Sequence, residues 1–396
     1  MDKDDAQLNL PLLVAAKEGQ AELVRQLLDW RADVNKARTD NGCTPLYAAA
    51  EKAHAEVVRM LLDRGADVNQ ARSDNGCTPL HAAAQQGQAE VVQMLIHWRA
   101  DVNKARTDTG STPLYAAAHK GHAEIVRLLL VSGGADADKA RIADGSTPLC
   151  MAAQKEHAEV VRLLLDWRAD VNKARADGST PLCIAAQHGH LQVVRMLLDE
   201  SGANVGGGAC LNMGQTAGVG TPLHVAAAKG HVEVVRLLLD RGASVDHDTG
   251  ETPLYRAAEE GHWEVVRVLV ESGAGVNVAR SDGGSTPLAI GCQRGHCKIV
   301  RLLLDHGAVE TVCSMPKGQD LCTLEDVVTD AQMLRLLARK RCTACNRLCS
   351  VKKCGRCRLA VYCSRACQRQ HWAEHKARCA EARQMDMQRD CTEDVD

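Results

Sequence analysis

The sequence predicts an all-α solenoid of stacked helical hairpins, with a small metal-stapled finger behind it. Three observations carry this reading. Proline recurs at Pro11, Pro45, Pro79, Pro113, Pro148, Pro181, Pro222, Pro253 and Pro287, at intervals of 34, 34, 34, 35, 33, 41, 31 and 34 residues. Phe is absent and aromatic residues make up 2% of the chain. That suits a repeat which buries small and aliphatic side chains better than a large core of mixed shapes. Finally, the run from Cys342 to Cys379 carries eight metal-ligand side chains in four pairs.

The repeated unit can be justified element by element. Thr44 is placed to cap a helix through its hydroxyl, and Pro45 fits the first helical position, where its missing N–H costs nothing. Ala48, Ala49 and Ala50 keep this first helix slim, so neighbouring units can approach. A second helix over Ala55 to Asp63 places Val57, Val58, Leu61 and Leu62 on one face. Gly65 ends it in a left-handed conformation. A hairpin-like finger from Asp67 to Gly76 leads to the next unit. No single unit can bury its apolar face, so the stack must form together.

Around each Pro the pattern is G-x-T-P-L-x-x-A-A-x-x-G-H-x-E-V-V-R-x-L-L-D-x-G-A-D-V-N, with variation. A period near 33 with this motif resembles the ankyrin repeat. The resemblance covers residues 8–310 in about nine units. Residues 311–340 then read as a shortened capping unit and linker, with Leu324 to Leu337 as its apolar part. Three units depart from the pattern. Trp30-Arg31, Trp98-Arg99 and Trp167-Arg168 stand where a Gly usually follows the second helix. A non-Gly residue there costs about 1 kcal/mol, so the Trp rings are expected to cover neighbouring apolar surface in compensation; exposed binding rings are the sharper alternative. The Gly-rich segment Gly206 to Gly220 stretches one finger and is expected to be a hinge.

The C-terminal pairs are Cys342/Cys345, Cys354/Cys357, Cys363/Cys367 and His375/Cys379. A C-x-x-C turn aims two sulfurs at one ion, and a pair four residues apart shares one helix face. Eight such ligands suffice for two tetrahedral zinc ions with no open position, a structural arrangement. So short a segment cannot build its own core; each structural zinc contributes on the order of 10 kcal/mol instead. The order C-x-x-C, C-x-x-C, C-x-x-x-C, H-x-x-x-C, with Tyr362, Gln368, Trp372 and Lys376 between, resembles the MYND zinc finger over residues 342–379. The resemblance implies two interleaved zinc sites. Cys342, Cys345, Cys363 and Cys367 would hold one ion, and Cys354, Cys357, His375 and Cys379 the other. It also implies a groove for short peptides, proline-containing ones among them, using Gln368 and Trp372. Cys349 does not fit the ligand pattern. Residues 380–396 form a tail.

Charge and composition narrow the function classes. The net charge is −2, so no global attraction to nucleic acid or membrane is implied. Nine of the 18 Cys lie from Cys342 onward and the rest are scattered singly, which reads as a reducing compartment. The acidic N-terminus has no apolar signal segment, and no run approaches a membrane span; cytosol or nucleus is expected. The H-x-E motifs at His54, His122, His157 and His231 begin like zinc-deaminase signatures. They recur at one place in the repeat and lack a partnering P-C-x-x-C, so a structural role is expected. Cys43 and Cys77 occupy a variable position. No nucleophile elbow, P-loop or dinucleotide fingerprint is present. The chain reads as non-enzymatic.

The expectation is therefore a protein-interaction adaptor, the solenoid holding one partner and the finger a second, with a transcriptional role suggested by the resemblance. In the solenoid the candidate contacts are Arg38, Arg72, Arg106, Arg141, Arg175 and Arg280. Each is followed within three residues by Asp40, Asp74, Asp108, Asp144, Asp177 or Asp282, giving a ladder of exposed pairs or a charged rim for a partner. The alternative function is nucleic-acid binding by the finger, where ten Lys or Arg stand against Glu374 between residues 341 and 380. Thiolate charge and scarce aromatic residues weigh against it.

Overall fold

The computed structural model describes residues 3–199, 220–246, 251–281, 284–308, 352–353 and 361–362. The chain divides into two units, Met1–Thr216 and Ala217–Asp396, and the division falls inside the Gly-rich segment read as a hinge. In the first unit six hairpins follow one another: α1 (Lys3–Glu18) with α2 (Ala21–Asp29), α3 (Pro45–Glu51) with α4 (Ala55–Asp63), α5 (Pro79–Gln86) with α6 (Ala89–His97), α7 (Pro113–Lys120) with α8 (Ala123–Val131), α9 (Pro148–Gln154) with α10 (Ala158–Asp166), and α11 (Pro181–His188) with α12 (Leu191–Asp199). In the second unit come α13 (Pro222–Lys229) with α14 (Val232–Asp240), α15 (Pro253–Glu260) with α16 (Trp263–Glu271), and α17 (Pro287–Gln293) with α18 (Cys297–Asp305).

Within each unit the odd-numbered helices pack in one layer and the even-numbered in another, each against its counterpart in the next hairpin. The caps work as the sequence implies. Thr44 Oγ1 accepts the Tyr47 N–H at 3.1 Å, with Pro45 at the first helical position. α1 differs, because Pro11 lies inside it rather than at its start. Leu10 replaces the capping Thr there, so nothing fixes the helix start at the proline. The core is the apolar seam between layers: Leu46, Val57, Val58, Leu61 and Leu62 are essentially buried. Each such Leu stabilises the stack by about 2–5 kcal/mol relative to Ala.

The H-x-E histidines act between repeats. His54 Nε2 donates to the Lys17 carbonyl at 3.0 Å, His122 Nε2 to Gln85 O at 3.1 Å, and His157 Nε2 to His119 O at 3.2 Å. Each imidazole thereby pairs a carbonyl left open at the end of the preceding inner helix. Gly121 shows what the contact demands. Its φ is +77°, and a Cβ there would lie 2.7 Å from the His157 ring.

Arg31, Arg99 and Arg168 adopt φ of 66°, 65° and 57°, the left-handed conformation expected of these turns. The turn keeps its closing bonds, with Arg31 N–H reaching Leu28 O at 3.0 Å. The Trp rings do not compensate by burial. Trp30, Trp98 and Trp167 remain 62%, 42% and 46% exposed. Each is the C-cap of its outer helix. That position lies one residue beyond the helical turns whose apolar stripe meets the neighbouring layer.

Candidate interaction surface

The finger arginines are held from two sides. In the first unit, Arg38, Arg72 and Arg106 each reach back to the Asp two residues on, with Nε to Oδ1 at 3.0 Å in all three. A second donor, Nη2, completes a bidentate fork. Arg141 pairs with Asp144 at 3.3 Å. The guanidinium of Arg72 also lies over the Tyr47 ring at 5.4 Å, and that of Arg141 over Tyr115 at 5.7 Å. The T-P-L-Y position of one hairpin thus supports the arginine of the following finger.

Electrostatics follow this geometry. The hydrogen bond from Arg72 holds the Asp74 carboxyl below its ordinary range, and Arg106 does the same for Asp108. Burial raises the Tyr47 hydroxyl well above its ordinary value. Burial also raises the thiols of Cys43 and Cys77, which suits packed side chains and opposes a nucleophilic role.

Two arginines break the expected ladder. Arg175 donates to Ser146 Oγ at 3.2 Å and Gln154 Oε1 at 2.6 Å, both from the preceding hairpin. Its finger is one residue shorter between Arg and the capping Thr than that of Arg141, and Asp177 accepts the Ser179 N–H at 2.8 Å. In the second unit Arg280 pairs with Glu251 at 2.9 Å and lies over Tyr255 at 5.9 Å; Asp282 lies outside the described residues. The arginines are therefore anchored across repeats as well as within fingers, which periodicity alone did not signal.

The T-P-L-H histidine is also tied down. His81 Nδ1 accepts the Thr78 N–H at 3.3 Å, and Nε2 donates to Ser111 O at 2.9 Å. Burial pushes its pKa down to about 4, so it sits neutral. Among the described residues no group of three His, Cys, Asp or Glu is arranged to hold a metal ion. No helix among them is long and apolar enough to cross a membrane.

The expected metal ligands between Cys342 and Cys379, with the expected groove residues Gln368 and Trp372, lie outside the described residues, as do the expected cap and tail. Two short strands there are described: β1 (Lys352–Lys353) pairs antiparallel with β2 (Val361–Tyr362), Lys352 opposite Tyr362. In sequence Cys354 follows β1 and Cys363 follows β2.

Comparison with protein families agrees with this architecture. The model for ankyrin repeats matches in overlapping stretches from 12–106 through 245–313. The model for the MYND finger matches residues 341–379. No curated protein matches the chain. Both families are protein-interaction domains, and a MYND finger implies bound zinc.

Proposed function

For a chain that belongs to the ankyrin-repeat family and carries a C-terminal MYND finger, we propose a non-catalytic adaptor that joins two protein partners. The solenoid takes one partner along its inner helices and finger arginines. The finger takes a short, proline-containing peptide of the other, with Gln368 and Trp372 lining its groove. Two structural zinc ions hold the finger, one on Cys342, Cys345, Cys363 and Cys367 and one on Cys354, Cys357, His375 and Cys379. Such a closed donor set fixes a fold and leaves no position for substrate. Residues 311–340 cap the repeats and link them to the finger.

One observation carries the reading. The motif histidines of the described repeats serve the stack: His54, His122 and His157 bridge to carbonyls, and His81 is buried and neutral. What faces solvent is a rim of anchored arginines beside slim helices, a surface suited to recognition. Joining two such modules raises the effective concentration of one partner near the other. The assignment extends to transcriptional regulation, in cytosol or nucleus.

Capture of partners on the full chain tests this. Trp372→Ala should abolish the finger's peptide capture at unchanged zinc content, while solenoid capture survives. If one substitution removed both partners, or neither, the two-ended adaptor would be refuted. A complex that weakened steeply with salt and was lost on nuclease treatment would favour nucleic-acid binding by the finger instead.

A further inference from the structure

The inner face of the fourth hairpin holds a groove of about 270 Å³ between α5, α7 and the two adjoining fingers. Gln85, Arg106, Tyr115, His119, Lys120 and Arg141 line it, and no Asp or Glu does. Three cations on one small concavity are unexpected in a chain of net charge −2. Arg106 and Arg141 belong to the recurring finger arginines, and Lys52, Lys155 and Lys229 hold the place of Lys120 in other hairpins, but the full set without an acid is not general. The place of His119 is taken by Glu51 in the second hairpin and by Glu259 in the eighth, and that of Lys120 by Gln86 in the third.

The cations are positioned rather than loose. Asp108 takes Nε and Nη2 of Arg106, leaving the Nη1 end of the fork. Asp144 Oδ1 lies 3.3 Å from Arg141 Nε as an ion pair without a hydrogen bond, while Arg141 Nη1 reaches the Tyr115 hydroxyl at 3.5 Å. Those two carboxylates offset part of the charge, yet neither lines the groove. Tyr115 is buried and forms an apolar wall that strengthens any charge contact beside it. The groove suits one compact group and is too small to track a polynucleotide backbone.

We propose that this groove binds a single oxyanion, a carboxylate or a phosphate, carried on a side chain of the solenoid's protein partner. The field at His119 agrees. Burial comes first in lowering its pKa, and the neighbouring Lys120, Lys155 and Arg141 lower it further. The proposal rests on the solenoid-binding reading for the source of the anion, and names the chemistry by which that partner is recognised.

The test is a titration of the full chain, labelled with ¹³C-histidine, at pH 7 and constant ionic strength. Sodium phosphate, sodium acetate and sodium chloride are added separately while the His119 ring signals are followed. A saturable shift with phosphate and acetate assigns a carboxylate or phosphate side chain; saturation with phosphate alone assigns a phosphorylated one. Lys120→Gln should weaken the apparent affinity about two- to fivefold, since the ammonium is exposed. Arg141→Gln should weaken it about tenfold, the scale of a charge-assisted hydrogen bond. An unsaturable shift equal to that of chloride would overturn the proposal. So would saturation unchanged in Lys120→Gln, an exposed position that keeps the test valid if Arg141→Gln disturbs the stack. The titration needs no protein partner. A flat result thus leaves solenoid capture standing, and failed capture beside a saturable shift overturns the adaptor alone.

Discussion

His81 gives the solenoid a built-in response to acid. Its imidazole is buried, with Nδ1 accepting from the Thr78 backbone and Nε2 donating to the Ser111 carbonyl of the next repeat. Nδ1 can accept only in the neutral ring, and burial lowers its pKa from 6.5 to about 4. A histidine depressed in the fold stays neutral while the unfolded chain takes up a proton. Its contribution to stability is therefore full above pH 6.5 and shrinks as pH falls from 6.5 toward 4. The gap corresponds to ~3 kcal/mol, most of it lost by pH 4.5. The perturbation is His81→Gln. At pH 7 the variant should be weaker by about 1–3 kcal/mol, since a buried donor and acceptor lose their partner. Between pH 7 and 4.5 its stability should fall less than that of the parent by about 2–3 kcal/mol. Repeat arrays do not always unfold in one step, so hydrogen exchange of the α5 and α7 amides is the assay. An imidazole titrating near 6.5, or parallel loss of protection in parent and variant, would refute the reasoning.

Two further outcomes are expected. Arg99→Gly should raise local stability by about 0.5–1 kcal/mol, because φ of 65° strains an L-residue and suits Gly; hydrogen exchange of α6 would show it, and unchanged exchange would discount the strain. Cys354→Ser should release one of two zinc ions and unfold the finger while the repeats stay helical, read by metal content and circular dichroism; both signals unchanged would remove Cys354 from the ligand set.

Much of the fold was legible because its rules act within a few residues. Thr44-Pro45 states where a helix begins, and Val57, Val58, Leu61 and Leu62 state which face is buried, with no reference to distant chain. The MYND finger was legible for the same reason, since its ligand-type residues recur at short, fixed spacings that the family model matches. The candidate surface was less so. The arginine positions followed from periodicity, but the turn of Arg175 toward Ser146 and Gln154 did not, although its shortened finger was a visible clue.

The sequence by itself determined the repeat, its caps and core, and the presence of a MYND finger. Tertiary structure alone decided the partners across repeats: which carbonyls His54, His122 and His157 meet, which tyrosine supports which arginine, and where three cations line a groove that no carboxylate lines. The physical reason is separation along the chain. Groups roughly one repeat apart meet only after rigid hairpins have docked, and that docking is set by the summed packing of both layers. No local pattern encodes it, so a periodic residue can be placed from the sequence while its partner cannot.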